Sequence, residues 1–174
     1  MANALLRRLL ISVILLASLF IFLAPVQNLV ILHENEDIFS QPVRIGQNIS
    51  TGYIHSVQLT PVEDDYKVVD NLIWLWEERV VSHNAGLPAE APRNGTFSQD
   101  DRWMYMRGGR YNWPSMNLRV GNHLLGRNWL SLGKTDPNLL YESFPGKRLT
   151  FRISEESLLF SILSRTKRLL QKGE

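Results

Sequence analysis

The hydrophobic positions of this 174-residue chain follow three successive patterns. Residues 9–24 form an uncharged apolar run, the middle of the chain alternates apolar and polar positions, and the last twenty residues repeat at helical spacing. Strands alternate with a period of two and helices repeat every 3.6 residues. The chain is therefore predicted to be mainly β with a helix at each end. The predicted boundaries are an anchor over 1–26, a β domain over 27–153 and a C-terminal amphipathic helix over 154–174.

The N-terminal run has two interpretations, a retained membrane helix and a cleaved signal peptide. Its 16 apolar residues give about 24 Å of helix, and residues 4–6 would lengthen it toward the roughly 30 Å of a hydrocarbon core. Cleavage after Ala24 would place Phe22 where the A-x-A-like pattern has a small residue, and Pro25 directly after the cut. A retained anchor is therefore favoured.

The charges on either side of this run predict its orientation. Arg7 and Arg8 precede it, whereas Glu34, Glu36 and Asp37 follow it. Positive residues stay on the cytoplasmic side of a membrane. We expect a single-pass membrane protein with a cytoplasmic N-terminus and its body outside the cytoplasm; in a Gram-negative bacterium this means the inner membrane, with the body in the periplasm.

The middle of the chain predicts many short strands separated by turns. Asp70-Asn71 and Gly108-Gly109 each predict a hairpin, and 82–99 predicts a loop. In the last strand Leu149, Phe151 and Ile153 are predicted to face inward. The predicted strands are 29–32, 42–45, 53–60, 66–69, 72–81, 103–106, 110–113, 116–120, 123–125, 129–132 and 147–153. Strands of this length and spacing favour a small antiparallel β-sandwich or barrel-like domain.

The C-terminal segment changes to helical spacing. Ser154 suits an N-cap, and Glu155 and Glu156 would lie in the first turn, where the helix dipole favours acids. An apolar stripe begins at Leu158, and basic residues gather near the end. Three interpretations stay open: packing on its own domain, lying on the bilayer surface, or docking on a membrane partner.

Composition, motif content and charge argue against several functional classes. The chain has no cysteine, and its four histidines lack metal-binding spacing, so we expect no metal and no cofactor. It contains no nucleophile elbow, P-loop or dinucleotide fingerprint, so it is not predicted to be an enzyme. The body, residues 33–160, carries thirteen basic and sixteen acidic residues, which disfavours nucleic acid as a partner.

Polar residues on strands and strand ends are the remaining candidates for a ligand site or a structural network. We expect Glu63 to pair with Arg119 or His55, because buried charges need partners. The network would either join the layers of the sandwich or line a small anion pocket. Its candidate members are His55, Ser56, Thr60, Glu63, Arg119, Asn122 and His123.

Several of these residues fall in short motifs whose order and spacing resemble a known family. The motifs are Tyr53-Ile-His55-Ser56-Val57, Thr60-Pro61-Val62-Glu63, Tyr66, Gly86-Leu87-Pro88 and Leu118-Arg119-Val120-Gly121-Asn122-His123. Over residues 29–153 the chain resembles the small exported proteins of unknown function encoded beside the fused membrane subunit of TAXI-type TRAP transporters. The segment from Ser154 onward looks like an extension of that common domain.

The resemblance implies a non-catalytic accessory subunit of an organic-acid importer. The implied partners are the fused membrane subunit of the TRAP transporter, its extracytoplasmic binding protein as a further partner, and membrane lipid. The alternative is a periplasmic module that binds a small organic anion through Arg119, His55 or Arg148. An enzyme with an unrecognised site is a third, weaker hypothesis.

Overall fold

A computed structural model describes residues 2–82, 86–87, 90–109 and 111–163. The chain is mainly β, as the alternating pattern predicts, and begins with an apolar helix. The helices are α1 (Ala2–Leu23) and α2 (Leu140–Ser143). The strands are β1 (Pro25–His33), β2 (Glu36–Pro42), β3 (Asn48–Ile54), β4 (Pro61–Val69), β5 (Leu72–Val80), β6 (Gly95–Gln99), β7 (Met104–Gly108), β8 (Asn112–Trp113), β9 (Ser115–Arg119), β10 (Gly126–Leu132), β11 (Asn138–Leu139) and β12 (Arg148–Ser157).

The strands form two antiparallel sheets. The smaller sheet has the order β2-β1-β12-β9, and the larger has the order β11-β10-β3-β4-β5-β7-β6 with β8 also on β5. Leu29 and Phe151 of the smaller sheet share one buried core with Ile49, Val68 and Ile73 of the larger sheet. This shared core confirms the predicted sandwich. The inward positions of Leu149, Phe151 and Ile153 are confirmed as well.

The hairpin of β4 and β5 turns at the predicted residues. Asp70 and Asn71 have φ values of 49° and 60°, the left-handed pair that a two-residue type I′ turn requires. The register then shifts by one residue, because Tyr66 pairs with Leu75 but Asp65 pairs with Glu77. Trp76 is the extra residue of this β-bulge, and every β5 residue after it changes face.

The two sheets have a common proximal end near α1. Pro25 pairs with Ser157, and the Gln27 side chain donates a hydrogen bond to Asn71 at the tip of the β4–β5 hairpin. The turns that follow β3 and β9 lie at the opposite, distal end. With about 3.3 Å per residue, the nine residues of β4 separate the two ends by about 30 Å of strand.

Several predicted strands differ from the observed ones. Of the predicted strand 42–45, only Pro42 belongs to a strand. Residues 123–125 form a turn, and the predicted strand 53–60 ends at Ile54, where the chain enters another turn. The Gly108-Gly109 hairpin was wrong. β7 and β8 both pair with β5 at different positions along it, so they are not partners of each other. Residues 95–99, predicted as loop, form β6, and Pro88 and Arg110 lie outside the described residues.

The C-terminal helix begins later than Ser154. Residues 154–157 continue β12 because they pair with residues 25–28 of β1, and this ladder provides more backbone hydrogen bonds than an N-cap would. The described helical segment covers residues 158–163. The rest of the predicted helix, 164–174, lies outside the described residues.

Candidate functional site

Two carboxylates face each other on the inner face of the larger sheet. Asp64 on β4 and Glu78 on β5 are cross-strand partners, which the bulge at Trp76 makes possible. Burial raises the pKa of Asp64 to about 6, and burial together with the nearby Asp64 charge raises the pKa of Glu78 to about 7. The Tyr66 hydroxyl donates to Asp64 Oδ2 at 3.1 Å. The pair is therefore a proton-holding site near neutral pH.

The two acids line different cavities. Glu78 borders a cavity of about 430 Å³ with Met106 and Tyr111. Asp64 borders one of about 400 Å³ with Tyr53 and Trp113. Burial raises the pKa of Tyr53 and keeps its hydroxyl protonated. Among the described residues, two acids, Glu78 and Glu90, and one cation, Arg93, line the first cavity, and Asp64 is the one charged residue that lines the second, so neither lining favours an organic anion.

The outer face of the same sheet carries an ion-pair network around Arg79. Its guanidinium contacts Glu63 at 2.9 Å, Asp65 at 2.7 Å and Glu77 at 2.6 Å. Arg107 on β7 pairs with Glu77 and extends the network toward the sheet edge. These pairs join β4, β5 and β7. We interpret this network as structural, because its ion pairs connect three neighbouring strands of the sheet.

The turn after β3 is held closed by His55. Its Nδ1 accepts hydrogen bonds from the backbone N–H groups of Val57 and Gln58, each at 3.3 Å. The backbone of His55 also bonds with Thr60 and Leu59, both at 2.9 Å. Leu59 adopts φ 55°, a left-handed conformation that is strained for a branched aliphatic residue.

The turn after β9 is held closed in the same way by asparagine. Asn122 Oδ1 accepts from the N–H groups of Leu124 and Leu125 at 2.8 and 2.9 Å. The buried Asn128 side chain accepts from the Gly121 N–H at 2.6 Å. A side chain at Gly121 would meet the Leu125 carbonyl oxygen, so this turn requires glycine there.

These two turns are neighbours at the distal end, since Gly126 pairs with Ile54 across β10 and β3. Each turn projects aliphatic side chains into solvent. We call Val57, Leu59, Leu124 and Leu125 the distal apolar tip; their side chains are between 52% and 85% exposed. Single exposed aliphatic residues are ordinary, but four on two rigidly capped adjacent turns suit a protein contact.

The predicted site residues do not form one network. His55, Ser56 and Thr60 share the first distal turn, and Asn122 and His123 share the second. Glu63 pairs with Arg79, so its expected pairing with Arg119 or His55 was wrong. Arg119 lies exposed in the smaller sheet across from Arg148, because β9 pairs with β12.

The side chains of the other candidate residues have different surroundings and do not contact one another as a single site. Ser56 is exposed, and the His123 ring contacts the Tyr141 ring edge-on at 5.0 Å between centroids. The buried Thr60 hydroxyl has no hydrogen-bond partner among the described residues. The sequence prediction placed these residues on strands and strand ends, so the capping of two turns by His55 and Asn122 was not predicted.

Asp64, Glu78 and Arg79 are site residues that the sequence prediction omits. Asp64 alternates with the buried Val62 and Tyr66, so strand periodicity could have placed it inward. Counting back from the Asp70-Asn71 turn without a bulge would have paired it with Glu77. The correct partner follows only once the extra residue, Trp76, is known.

Among the described residues, no group of three or more His, Cys, Asp or Glu side chains could hold a metal ion. Within the same ranges, α1 is the one helix long and apolar enough to span a membrane. Its window Leu6–Leu23 has a mean hydropathy of 2.3, and none of it is buried.

The fold and these features define a mainly β-sandwich protein with an N-terminal apolar helix. The chain belongs to the family described as Domain of unknown function (DUF1850), whose profile matches residues 49–139. The matched region runs from β3 to β11 and contains the acidic pair, the Arg79 network and the distal apolar tip. No curated protein and no solved structure matches the chain.

Proposed function

We propose that the protein is a membrane-anchored, non-catalytic accessory subunit of a TAXI-type TRAP organic-acid importer. In this proposal α1 crosses the inner membrane with its N-terminus in the cytoplasm and packs beside the fused membrane subunit. The β-sandwich then lies in the periplasm. Its distal apolar tip contacts the extracytoplasmic part of the transporter, including the binding protein.

The observation that carries the proposal is the division of exposed apolar surface between the two ends of the molecule. The side chains of the Leu6–Leu23 window are unburied at the proximal end, and Val57 and Leu124 are exposed about 30 Å of strand away. Exposed aliphatic residues on preformed turns bind with little ordering cost. This arrangement suits an adaptor held at the membrane that reaches a partner beyond it.

The alternative, a module that binds a small organic anion, has less support. Arg119 and Arg148 are cross-strand neighbours on the smaller sheet, but both are exposed and line neither acidic cavity. His55 uses its ring nitrogen to close a turn. Calorimetry of the full-length protein with a dicarboxylate panel should therefore give no heat of binding.

Affinity purification from membranes solubilised in mild detergent tests the proposal. The full-length chain should retain the fused membrane subunit, and the double variant Val57→Asp/Leu124→Asp should lose the binding protein. Both residues are exposed, so the substitutions should leave the fold intact. Tyr111→Asp is the control, because Tyr111 is likewise exposed and outside a strand, and its backbone bonds with Leu75 and not with either distal turn.

Two results would contradict different parts of the proposal. If the unmodified chain retains neither transporter component, the accessory role is wrong. If the Val57→Asp/Leu124→Asp variant retains as much binding protein as Tyr111→Asp does, the distal apolar tip is not the contact.

A further inference from the structure

The helical segment 158–163 starts beside the end of α1. The Leu158 N–H donates a 3.0 Å hydrogen bond to the carbonyl oxygen of Ala24, the residue that follows α1. Pro25 and Ser157 are paired in the last rung of the β1–β12 ladder. The segment therefore leaves the domain at the same end, and within one residue of the same place, as α1.

One side of this segment is fixed to the β domain. The buried Ser161 hydroxyl donates to the buried Asn28 side-chain oxygen at 2.8 Å. Asn28 lies on β1, three residues after the strand begins. This bond sets the rotation of the helical turn, so its remaining faces point away from the sandwich core.

The faces that remain are apolar and exposed. Leu159, Phe160, Ile162 and Leu163 are between 42% and 58% exposed, whereas Ser161 between them is buried. Ile45, on the neighbouring loop, is also largely exposed and borders the same proximal groove as Pro25 and Leu158. A soluble domain would gain by covering such a patch. The patch is continuous with the end of an apolar helix that is long enough to cross a membrane.

We propose that residues 158–163 lie on the lipid surface from which α1 emerges, with Phe160 and Leu163 inserted into the headgroup boundary. The occupant of this patch is lipid, because the bilayer surface begins where α1 ends and Leu158 is hydrogen-bonded to Ala24, the first residue after α1. An interfacial helix buries its apolar face to a shallow depth while its backbone stays roughly in the plane of the bilayer. The contact gives the sandwich a second attachment and fixes its tilt. This inference rests on the proposed insertion of α1.

The absence of cysteine from the sequence allows a direct test by single-site labelling. An environment-sensitive fluorophore is attached to Phe160→Cys and, separately, to Leu163→Cys in full-length protein in lipid nanodiscs. Both side chains are mostly exposed, so either variant should fold, and circular dichroism checks this. Leu16→Cys reports on α1, and Leu124→Cys reports on the distal end.

Labels at Phe160→Cys and Leu163→Cys should emit at shorter wavelength than the label at Leu124→Cys. Doxyl-labelled lipids should quench them, and aqueous iodide should quench them less than it quenches Leu124→Cys. A lipid-quenched Leu16→Cys with water-exposed labels at both C-terminal sites would overturn this inference and leave the anchor standing. C-terminal labels shielded from iodide but not quenched by lipid would also overturn it. A water-exposed Leu16→Cys would overturn both this inference and the proposed function.

Discussion

Asp64 and Glu78 lie directly opposite each other on β4 and β5, with both side chains on the inner face of the larger sheet. Two like charges at this spacing repel, and burial further disfavours ionisation. The folded protein therefore holds protons on these groups at pH values where the unfolded chain has released them. The stability of the fold should therefore depend on pH through this pair.

Stability should fall as pH rises from about 4 to about 7. The folded pKa values of about 6 for Asp64 and about 7 for Glu78 exceed the ordinary values of 3.8 and 4.5. The two groups therefore stabilise the fold most at pH values below their unfolded pKa values, and this contribution is lost as the pH rises through their folded pKa values. Because both groups are partly exposed, we expect a loss of on the order of 2 kcal/mol between pH 5 and pH 8.

Urea unfolding of the full-length protein in detergent, followed by tryptophan fluorescence, measures this slope. Asp64→Asn and Glu78→Gln should each make stability less dependent on pH and raise it at pH 8. Equal slopes for the unmodified chain and both variants would contradict the assignment of the pair.

Arg79 should be the most costly charge to remove on the outer face. Arg79→Met leaves Glu63, Asp65 and Glu77 close together without their shared cation. We expect a loss of about 3 kcal/mol, because three carboxylates then repel one another without a cation among them. Arg107→Met is the matched control and should lose about 1 kcal/mol or less, because Arg107 is more exposed. Similar losses for both variants would show that Arg79 is not the centre of the network.

The contact between Gly52 and Trp129 should tolerate no added side chain. A Cβ at Gly52 would overlap Trp129 Cε2 and the neighbouring atoms of the indole ring. Gly52→Ala should therefore destabilise the fold by about 1–3 kcal/mol. In a Trp129→Ala background the same change should cost much less. If Gly52→Ala destabilises the Trp129→Ala variant as much as the unmodified chain, the overlap with Trp129 is not the cause.

Asn128 should be required for the second distal turn. Asn128→Ala leaves the Gly121 N–H without its acceptor inside the domain, and we expect a loss of about 1–3 kcal/mol. Asn128→Asp keeps the acceptor oxygen and should lose less at neutral pH. The amide hydrogen exchange of Gly121 and Leu125 should accelerate in the alanine variant, and unchanged exchange would argue against this capping role.

The sequence predicts the parts of the fold that depend on local pattern. The Asp70-Asn71 turn and the inward Phe151 follow from turn chemistry and strand alternation, and both are confirmed. The bulge at Trp76 does not follow, because a single extra residue leaves no local signal and is stabilised by the pairing of both flanking segments. For the same reason the pairing of Asp64 with Glu78 was not predictable.

The partners of β12 and of the distal turns depend on long-range contacts. Residues 154–157 have a good helix-start pattern, but pairing with β1 holds them in a strand. His55 and Asn122 were predicted as members of a ligand or structural network. Their side chains act locally on turn backbone, which becomes visible only when the turn conformation is known.

The membrane topology, with α1 crossing the bilayer and the sandwich outside the cytoplasm, can be measured directly. Because the sequence has no cysteine, Asp101→Cys and Asn3→Cys can each be labelled alone with a membrane-impermeant maleimide in spheroplasts. Asp101 is exposed and lies outside the distal apolar tip, so the proposed partner contact should not shield it. We expect Asp101→Cys to be labelled on intact spheroplasts and Asn3→Cys to be labelled only after permeabilisation. Protection of Asp101→Cys on intact spheroplasts, with labelling after lysis, would contradict this topology.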